Sequence, residues 1–213
     1  MFPHHTASTA DKQSVDVARE AFLAGETLEL PGLRPEVRSA WVRSRAAGVD
    51  PELKHVPLLL EGPELHEYQR THDIYRAGRH AARAAAALLK NTGCAIVLTD
   101  ASGLVLYTDG DRSMLRHAER VGSLPGASWR EDLVGNNAVG TSLVVRRPVQ
   151  FCAAEHWSAG WIDWACFAAP IRAPSSETVL GTVALVTRSS QVDEAMLPWV
   201  TEVAGTLAAQ VGQ

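Results

Sequence analysis

Residues 94–108 read CAIVLTDASGLVLYT, two short apolar runs separated by a polar turn sequence. The runs are rich in Val, Ile and Leu, and residues 100–103 (Asp-Ala-Ser-Gly) have the composition of a tight turn. The pattern therefore predicts a β-hairpin. A second pair of apolar runs, at 164–172 and 179–187, flanks the polar stretch APSSET and predicts a second hairpin.

Helical periodicity surrounds these strands. Apolar residues recur every three or four positions over residues 63–90, which predicts one long helix with a heptad seam, and again over residues 192–211. Residues 111–121 and 137–145 predict shorter helices, and residues 149–153 predict a further strand. This order of elements predicts an α+β fold, in which helices pack on an antiparallel sheet.

The seam of the long helix includes His72 and Arg79, which are poor core residues. Two interpretations remain open: the helix packs only on its own domain, or it also meets its symmetry mate. Because residues 63–90 and 192–211 both carry apolar stripes, we expect a homodimer that uses both helices.

The 213-residue chain has a net charge of −4 and is 46% hydrophobic. An acidic balance argues against direct nucleic-acid contact, so Arg34, Arg38, Arg43 and Arg45 are expected to form a solvated helix face. With no signal sequence and no apolar run of about 18 residues, we expect a cytoplasmic protein without membrane contact. The predicted organisation is a disordered tail at 1–14, an N-terminal helical extension at 15–62 and a main domain at 63–213.

Motifs for catalysis and cofactor binding are absent from the sequence. It contains no P-loop, no dinucleotide-binding glycine motif, no Cys-x-x-Cys, no His-Glu-x-x-His and no nucleophile elbow. Its three cysteines lie in apolar stretches, where a thiol is unreactive. We therefore expect no enzyme activity, no cofactor and no bound metal.

Tryptophan is concentrated in one part of the chain. Four of the six tryptophans fall within residues 129–164, in a chain that is only 6% aromatic. This concentration fits an aromatic-walled ligand pocket. It also fits a small satellite core that tryptophans fill beneath a loop.

Several motifs in this region resemble a known family. GNNAVGTSL (135–143), AEHW (154–157) and WACFAAPI (164–171) follow one another, preceded by AWVRSRAAGVDPEL (40–53) and VLTDASGLVL (97–106). In this order they resemble the N-terminal GAF domain of bacterial enhancer-binding activators of the acetoin- and glycerol-catabolism type. The resemblance spans about residues 34–210. Three positions depart from the pattern, namely Ala40, Asn136 and Phe167.

The resemblance implies a sensor that regulates transcription of a catabolic pathway. A GAF fold has a central antiparallel sheet with terminal helices on one face and a cap of loops and helices on the other, and the ligand lies between sheet and cap. The resemblance assigns residues 63–213 to this sensor domain. The resemblance also implies an ATPase and DNA-binding effector, which these 213 residues do not include. The chain is then either a stand-alone sensor or the sensor part of a longer regulator.

The expected pocket lies between the strand at 164–171 and the cap. The candidate ligand-binding residues are Trp129, Asn137, Thr141, Cys152, Glu155, His156, Trp161, Trp164 and Cys166. Four of them have an individual alternative role: Asn137 suits a helix N-cap, Glu155 and His156 suit an exposed loop, and Cys166 suits an inert core position. Alternation along the strand places Trp164, Cys166 and Ala168 on the pocket face.

These residues suggest a small, weakly polar ligand of the diol, ketone, alcohol or phenol class rather than a nucleotide. The nearby arginines, Arg146 and Arg147, precede Pro148 at the end of a helix, and no Gly-rich phosphate loop is present. Two other functions compete with sensing. One is a thiol redox enzyme similar to free methionine sulfoxide reductase, and the other is a dimerisation scaffold without a ligand.

Overall fold

The computed structural model describes residues 9–26, 33–174 and 176–211. The helices are α1 (Thr9–Leu23), α2 (Pro35–Ala46), α3 (Gly62–Thr71), α4 (Asp73–Leu88), α5 (Arg112–Arg120), α6 (Glu131–Val134), α7 (Ala138–Val145) and α8 (Met196–Val211). The strands are β1 (Ala95–Asp100), β2 (Val105–Gly110), β3 (Val149–Cys152), β4 (Trp164–Arg172) and β5 (Val179–Arg188).

The strands form one antiparallel sheet in the order β2-β1-β5-β4-β3. Both predicted hairpins are present: β1 pairs with β2, with Val97 opposite Thr108, and β4 pairs with β5, with Phe167 opposite Leu185. The contact of β1 with β5 joins the two hairpins into a continuous sheet. The predicted α+β fold is therefore confirmed.

Each face of the sheet has its own hydrophobic core. Along β4, Trp164 and Cys166 belong to the core that contains Trp129 and Trp41. The alternate residues Ala165 and Phe167 belong to the core formed with α4 and α8. The whole stretch from Trp164 to Ile171 is buried, because both faces of the strand are covered.

The predicted helix at 63–90 is wrong in one respect, because it is two helices. His72 adopts extended backbone angles (φ −81°, ψ 121°) between α3 and α4. The two helices pack on different partners. From α3, Tyr68 donates a hydrogen bond to Asp100 in the hairpin turn, whereas α4 buries Ile74 and Ala82 on the back of the sheet.

The heptad seam also differs from the observed inward face. Arg79, which the seam includes, is exposed, and Gly78 faces the core in its place, whereas Ala82 of the seam is buried as expected. Likewise, Met196 and Leu207 of the α8 stripe are buried within their own domain. Packing on the chain's own sheet therefore accounts for most of both stripes.

The N-terminal helices belong to the same core as the sheet. Val37, Ala40 and Trp41 of α2 are buried in the cluster that contains Trp129. The described residues of the predicted N-terminal extension thus contribute to the core of the main domain. The predicted tail at 1–14 differs as well, because α1 begins at Thr9, while residues 1–8 lie outside the described part of the chain. None of the described helices is long and apolar enough to cross a membrane.

Candidate functional site

A group of loops and short helices covers the face of the sheet opposite α4 and α8. We call residues 123–145 and 153–163 the cap; it includes α6 and α7, and α7 packs across β4 and β5. Between cap and sheet lies a cavity of about 10 Å³, room for about one water molecule. Its lining consists of Val97, Ser123, Trp129, Asn137, Ala138, Val139, Cys166, Ala184 and Val186. Three of the predicted residues, Trp129, Asn137 and Cys166, are therefore together at one cavity.

Trp129 connects this cavity to a tryptophan cluster. Its ring centroid lies 4.9 Å from that of Trp161 and 6.3 Å from that of Trp164. The Trp129 indole donates to Ser123 Oγ at 3.2 Å. The Nε1 atoms of Trp161 and Trp164 are buried and have no acceptor within the described residues. Leaving a buried donor unpaired lowers the stability of a fold by about 1–3 kcal/mol. The two indole N–H groups therefore do not stabilise the described structure through hydrogen bonds.

His156 is fully buried near the same core. Its pKa is lowered to about 4, chiefly by burial and to a lesser extent by the charge of Arg19, against the opposing effect of the hydrogen bond with the Ala153 carbonyl. The imidazole is therefore neutral near pH 7. Because Nδ1 lies 3.0 Å from the Ala153 carbonyl oxygen, Nδ1 carries the proton. Nε2 is then an acceptor, buried without a donor in the described structure. The exposed-loop alternative for His156 is wrong.

Glu155 has a structural partner that the sequence did not reveal. Its carboxylate accepts from Arg34 Nε at 3.0 Å and Nη2 at 2.8 Å, and from the Cys152 amide at 2.8 Å. Burial alone would lower the pKa of Arg34, but the hydrogen bond and charge of Glu155 outweigh it and raise that pKa. The carboxylate thus already has hydrogen-bond partners at the start of α2 and at the end of β3, and it connects these two elements.

The other six predicted residues do not line the cavity; they are Thr141, Cys152, Glu155, His156, Trp161 and Trp164. Thr141 donates to Glu131 Oε2 at 2.5 Å and faces a groove beside α2. Strand alternation places Phe151 on the cap side of β3, so Cys152 packs on the opposite face with the core of α4 and α8.

Asn137 has the structural role that its position predicts. Its Oδ1 accepts from the Gly140 amide at 2.8 Å, which caps α7. Its Nδ2 donates to the Trp129 carbonyl at 3.0 Å and to the Gly135 carbonyl at 2.9 Å. One side chain therefore fixes α7, the Trp129 loop and a wall of the cavity.

The sequence-based site missed two residues that have buried, unpaired polar atoms. His117 of α5 stacks near Trp164 (centroids 5.2 Å apart), and neither of its ring nitrogens has a partner in the described structure. Burial, then the charges of Arg188 and Arg120, lower its pKa. The fully buried Asn136 has an unpaired Oδ1. The apolar spacing of Met114 and Ala118 along α5 was a usable signal for His117, whereas nothing in the sequence marked Asn136 Oδ1.

Comparison with known proteins identifies the family. The family model described as "MimR, N-terminal domain" matches residues 9–210. This chain belongs to the MimR N-terminal domain family. The match begins at the first residue of α1 and ends in α8, so α1 and α2 are part of the family domain.

Two relatives of this chain are transcriptional activators by name. The propane 2-monooxygenase operon transcriptional activator MimR of Mycolicibacterium smegmatis is 31% identical over 194 residues, 89% of this chain and 31% of that protein. The acetoin dehydrogenase operon transcriptional activator AcoR of Bacillus subtilis is 32% identical over 151 residues, 70% of this chain and 25% of that protein. The chain thus spans less than a third of either relative's length.

A solved structure confirms the fold of the family domain. The crystal structure of the E. coli DhaR(N)-DhaL complex matches with a TM-score of 0.78 at 22% identity, over 84% of this chain and 61% of that chain. The GAF-like arrangement of sheet, terminal helices and cap is therefore established. Within the described residues, no three His, Cys, Asp or Glu side chains come close enough to hold a metal ion.

Proposed function

We propose that this chain is the cytoplasmic sensor domain of a bacterial transcriptional regulator, and that it binds a small neutral oxygenated compound between sheet and cap. Unpaired polar atoms buried within the cap and beneath it carry this proposal. Among the described residues they include two donors, Trp161 Nε1 and Trp164 Nε1, two acceptors, His156 Nε2 and Asn136 Oδ1, and both ring nitrogens of His117 beside Trp164. Buried polar groups normally have partners, so this set is explained by a ligand that supplies them.

The chemistry of these atoms defines the ligand class. A carbonyl or hydroxyl oxygen can accept from the two indoles, and a hydroxyl can also donate to His156 or Asn136. The described cavity lining contains no charged side chain, and His156 is neutral near pH 7. A phosphate would meet no cation there, which favours a diol, ketone, alcohol or phenol over a nucleotide.

The names of the relatives support the wider role. Activators of the acetoin dehydrogenase and propane 2-monooxygenase operons share this domain. We propose that ligand binding here controls transcription of a catabolic operon through an ATPase and DNA-binding effector, carried by the same polypeptide or by a partner. The acidic chain itself is not expected to contact DNA.

The cysteines argue against a thiol redox enzyme. Burial raises the pKa of the Cys94 and Cys166 thiols, which suppresses the reactive thiolate. Cys152 and Cys166 lie on neighbouring strands, but Phe151 is the residue opposite Cys166, so the two thiols project from opposite faces of the sheet. This pair therefore does not form the disulfide that such an enzyme needs.

A thermal-shift screen tests the proposal. Short diols, ketones, alcohols and phenols are compared with cyclic nucleotides, and a true ligand at a hundredfold excess over its Kd stabilises the domain by about 2.7 kcal/mol. We expect stabilisation by one or more oxygenated compounds. Stabilisation by cyclic nucleotides alone would overturn the ligand class. The absence of any hit would instead favour a scaffold without a ligand.

Trp164→Phe is the matched variant for this screen. Phenylalanine retains an aromatic ring in the core but removes the buried Nε1–H. We expect the stabilisation by the best oxygenated compound to be lost or strongly reduced. Trp157→Phe is the control, because the Trp157 indole already donates to the Val49 carbonyl at 2.8 Å. Equal stabilisation of the wild type and Trp164→Phe would contradict the assigned donor.

A further inference from the structure

Helix α2 is hydrogen-bonded to the cap directly beside the cavity wall. Arg43 donates from Nε and Nη2 to the two carboxylate oxygens of Glu131, at 2.5 and 3.1 Å. The backbone N–H of Asn136 donates to Ser44 Oγ at 2.9 Å. The next residue, Asn137, lines the cavity. Any movement of this wall is therefore transmitted to α2 or breaks these bonds.

The other end of α2 is fixed to the second part of the cap. Arg34 forms the two-pronged ion pair with Glu155, and the Trp41 indole donates to the Glu155 carbonyl at 2.8 Å. That carbonyl also accepts from Asn136 Nδ2 at 2.9 Å. The two arginine–carboxylate pairs thus attach opposite ends of α2 to the two halves of the cap.

A cavity of about 10 Å³ must expand before it holds more than a water molecule. Its sheet side, formed by Val97, Cys166, Ala184 and Val186, belongs to hydrogen-bonded strands backed by α4 and α8. Its cap side consists of α7, which has no backbone hydrogen bonds to the strands in the described structure, and of the Trp129 loop, which has only a few backbone hydrogen bonds to residues 103–105. Expansion therefore displaces the cap rather than the sheet.

We propose that Arg34 and Arg43 are positioning residues that hold the cap closed over the cavity, so that a ligand displaces α2 together with the cap. The inference rests on the proposed ligand site. The arginines of α2, which were expected to form a solvated face, divide into two groups. Arg34 and Arg43 bind carboxylates whose side chains are only 13% and 5% exposed, whereas Arg38 and Arg45 are exposed. The position of α2, near the N-terminus of the domain, would then differ between the free and the ligand-bound forms.

Hydrogen exchange of unliganded variants tests the positioning role. The Glu131 side chain is 5% exposed, so Arg43→Gln leaves a buried carboxylate without its cation. We expect amide exchange over residues 131–145 to accelerate on the order of tenfold or more, while residues 196–211 change less than about twofold. Arg43→Lys keeps the charge but loses the paired geometry and should give an intermediate effect.

Arg130→Gln is the matched control. Arg130, which precedes the same short helix, donates to Asp132 at 2.9 and 2.6 Å, but both side chains are half exposed and no hydrogen bond joins either of them to α2 in the described structure. We expect almost no change in cap exchange for this variant. Equal acceleration in Arg43→Gln and Arg130→Gln would overturn the proposal. So would equal acceleration of the cap and residues 196–211, which would show general loosening.

A cavity-filling variant tests the link between cavity and α2. Val139→Leu adds a methylene group from the cap side, and Cys166→Met adds bulk from the sheet side. Each should accelerate exchange of residues 35–46 in the wild-type background, but not when Arg34→Gln and Arg43→Gln are both present. An effect that is unchanged in the double variant, or absent in both backgrounds, would overturn the proposal. No ligand is used, so this result is independent of the compound screen.

Discussion

His156 is a buried imidazole whose ionisation the fold suppresses. Its pKa is about 4 in the folded domain, against 6.5 for the ordinary side chain. Between pH 6.5 and 4, His156 is protonated in the unfolded chain but remains neutral in the folded chain. The free energy of unfolding should therefore fall as the pH decreases from 6.5 to 4, by about 3 kcal/mol from this group, and should not change through His156 above pH 7.

Urea unfolding between pH 4 and 8 measures this effect. His156→Gln cannot ionise, so its free energy of unfolding should depend less steeply on pH over the 4–6.5 window, whatever its stability at pH 7. Other groups that titrate in this range are common to both proteins and cancel in the comparison. Identical pH slopes for the wild type and His156→Gln would show that His156 is accessible to protons in the folded domain.

At the residue scale, local roles were predictable and distant partners were not. Asn137 precedes a helix, and strand alternation places Trp164 and Cys166 on one face, so both features follow from neighbouring residues. The partner of Glu155 is Arg34, 121 residues earlier in the chain. No local pattern contains that pairing, because it depends on how α2 packs against the end of β3.

Helix α7 approaches the Trp129 loop so closely that one residue must be glycine. A Cβ on Gly140 would lie 2.5 Å from the Trp129 carbonyl oxygen and 2.6 Å from the Glu131 amide nitrogen. Gly140→Ala should therefore push α7 away from the backbone of residues 129–131 and destabilise the domain by about 1–3 kcal/mol, in spite of the better helix propensity of alanine. Thermal or urea unfolding measures the change.

Gly205 provides the matched control within α8. A Cβ there meets no atom within 4 Å, and the residue is exposed. Gly205→Ala should raise the free energy of unfolding by up to about 1 kcal/mol, because alanine is the better helix former. Opposite signs for the two substitutions are the expected result. Stabilisation by Gly140→Ala would mean that α7 does not lie against the Trp129 loop as described.

At the scale of elements, periodicity predicted the existence of helices better than their continuity. The repeat over residues 63–90 continues through His72, yet the helix breaks there. Gln69 of α3 donates to the Leu106 carbonyl at the hairpin edge, while Ile74 of α4 lies on the back of the sheet. Tertiary contacts with two surfaces decide the break, and a one-dimensional pattern does not contain them.

The whole molecule is proposed to be a homodimer through α3, α4 and α8. Much of the apolar stripe on these helices is used within the domain, but Leu88 at the end of α4 remains 72% exposed. Light scattering at tens of micromolar should give twice the mass of the chain. Leu88→Glu should shift the protein towards monomer, because it places a charge on this surface.

Ile162→Glu is the control for this prediction. Ile162 is also exposed, but it lies in the cap rather than on the terminal helices. The control should leave the dimer intact. A monomeric mass for the wild type, or equal dissociation by both substitutions, would contradict an interface at the terminal helices.

At this scale, the sequence led to the face of the sheet that carries the site but not to its detailed make-up. The tryptophan concentration and the family motifs pointed to the space between sheet and cap, where Trp129, Asn137 and Cys166 line the cavity. The degree of closure was not predictable, because it results from close packing of segments distant in the chain. The unpaired state of Trp161 Nε1 and Trp164 Nε1 likewise depends on three-dimensional surroundings.

The most direct test of the ligand site is a spectrum of the ¹⁵N-labelled tryptophan indoles, recorded with and without the best compound from the thermal-shift screen. The Trp161 and Trp164 Nε1–H signals should move in the direction of a new hydrogen bond. Those of Trp41 and Trp157 should change little, because both already donate to backbone carbonyls at 2.8 Å. A compound that stabilises the domain while the Trp161 and Trp164 signals stay in place would contradict the proposed site.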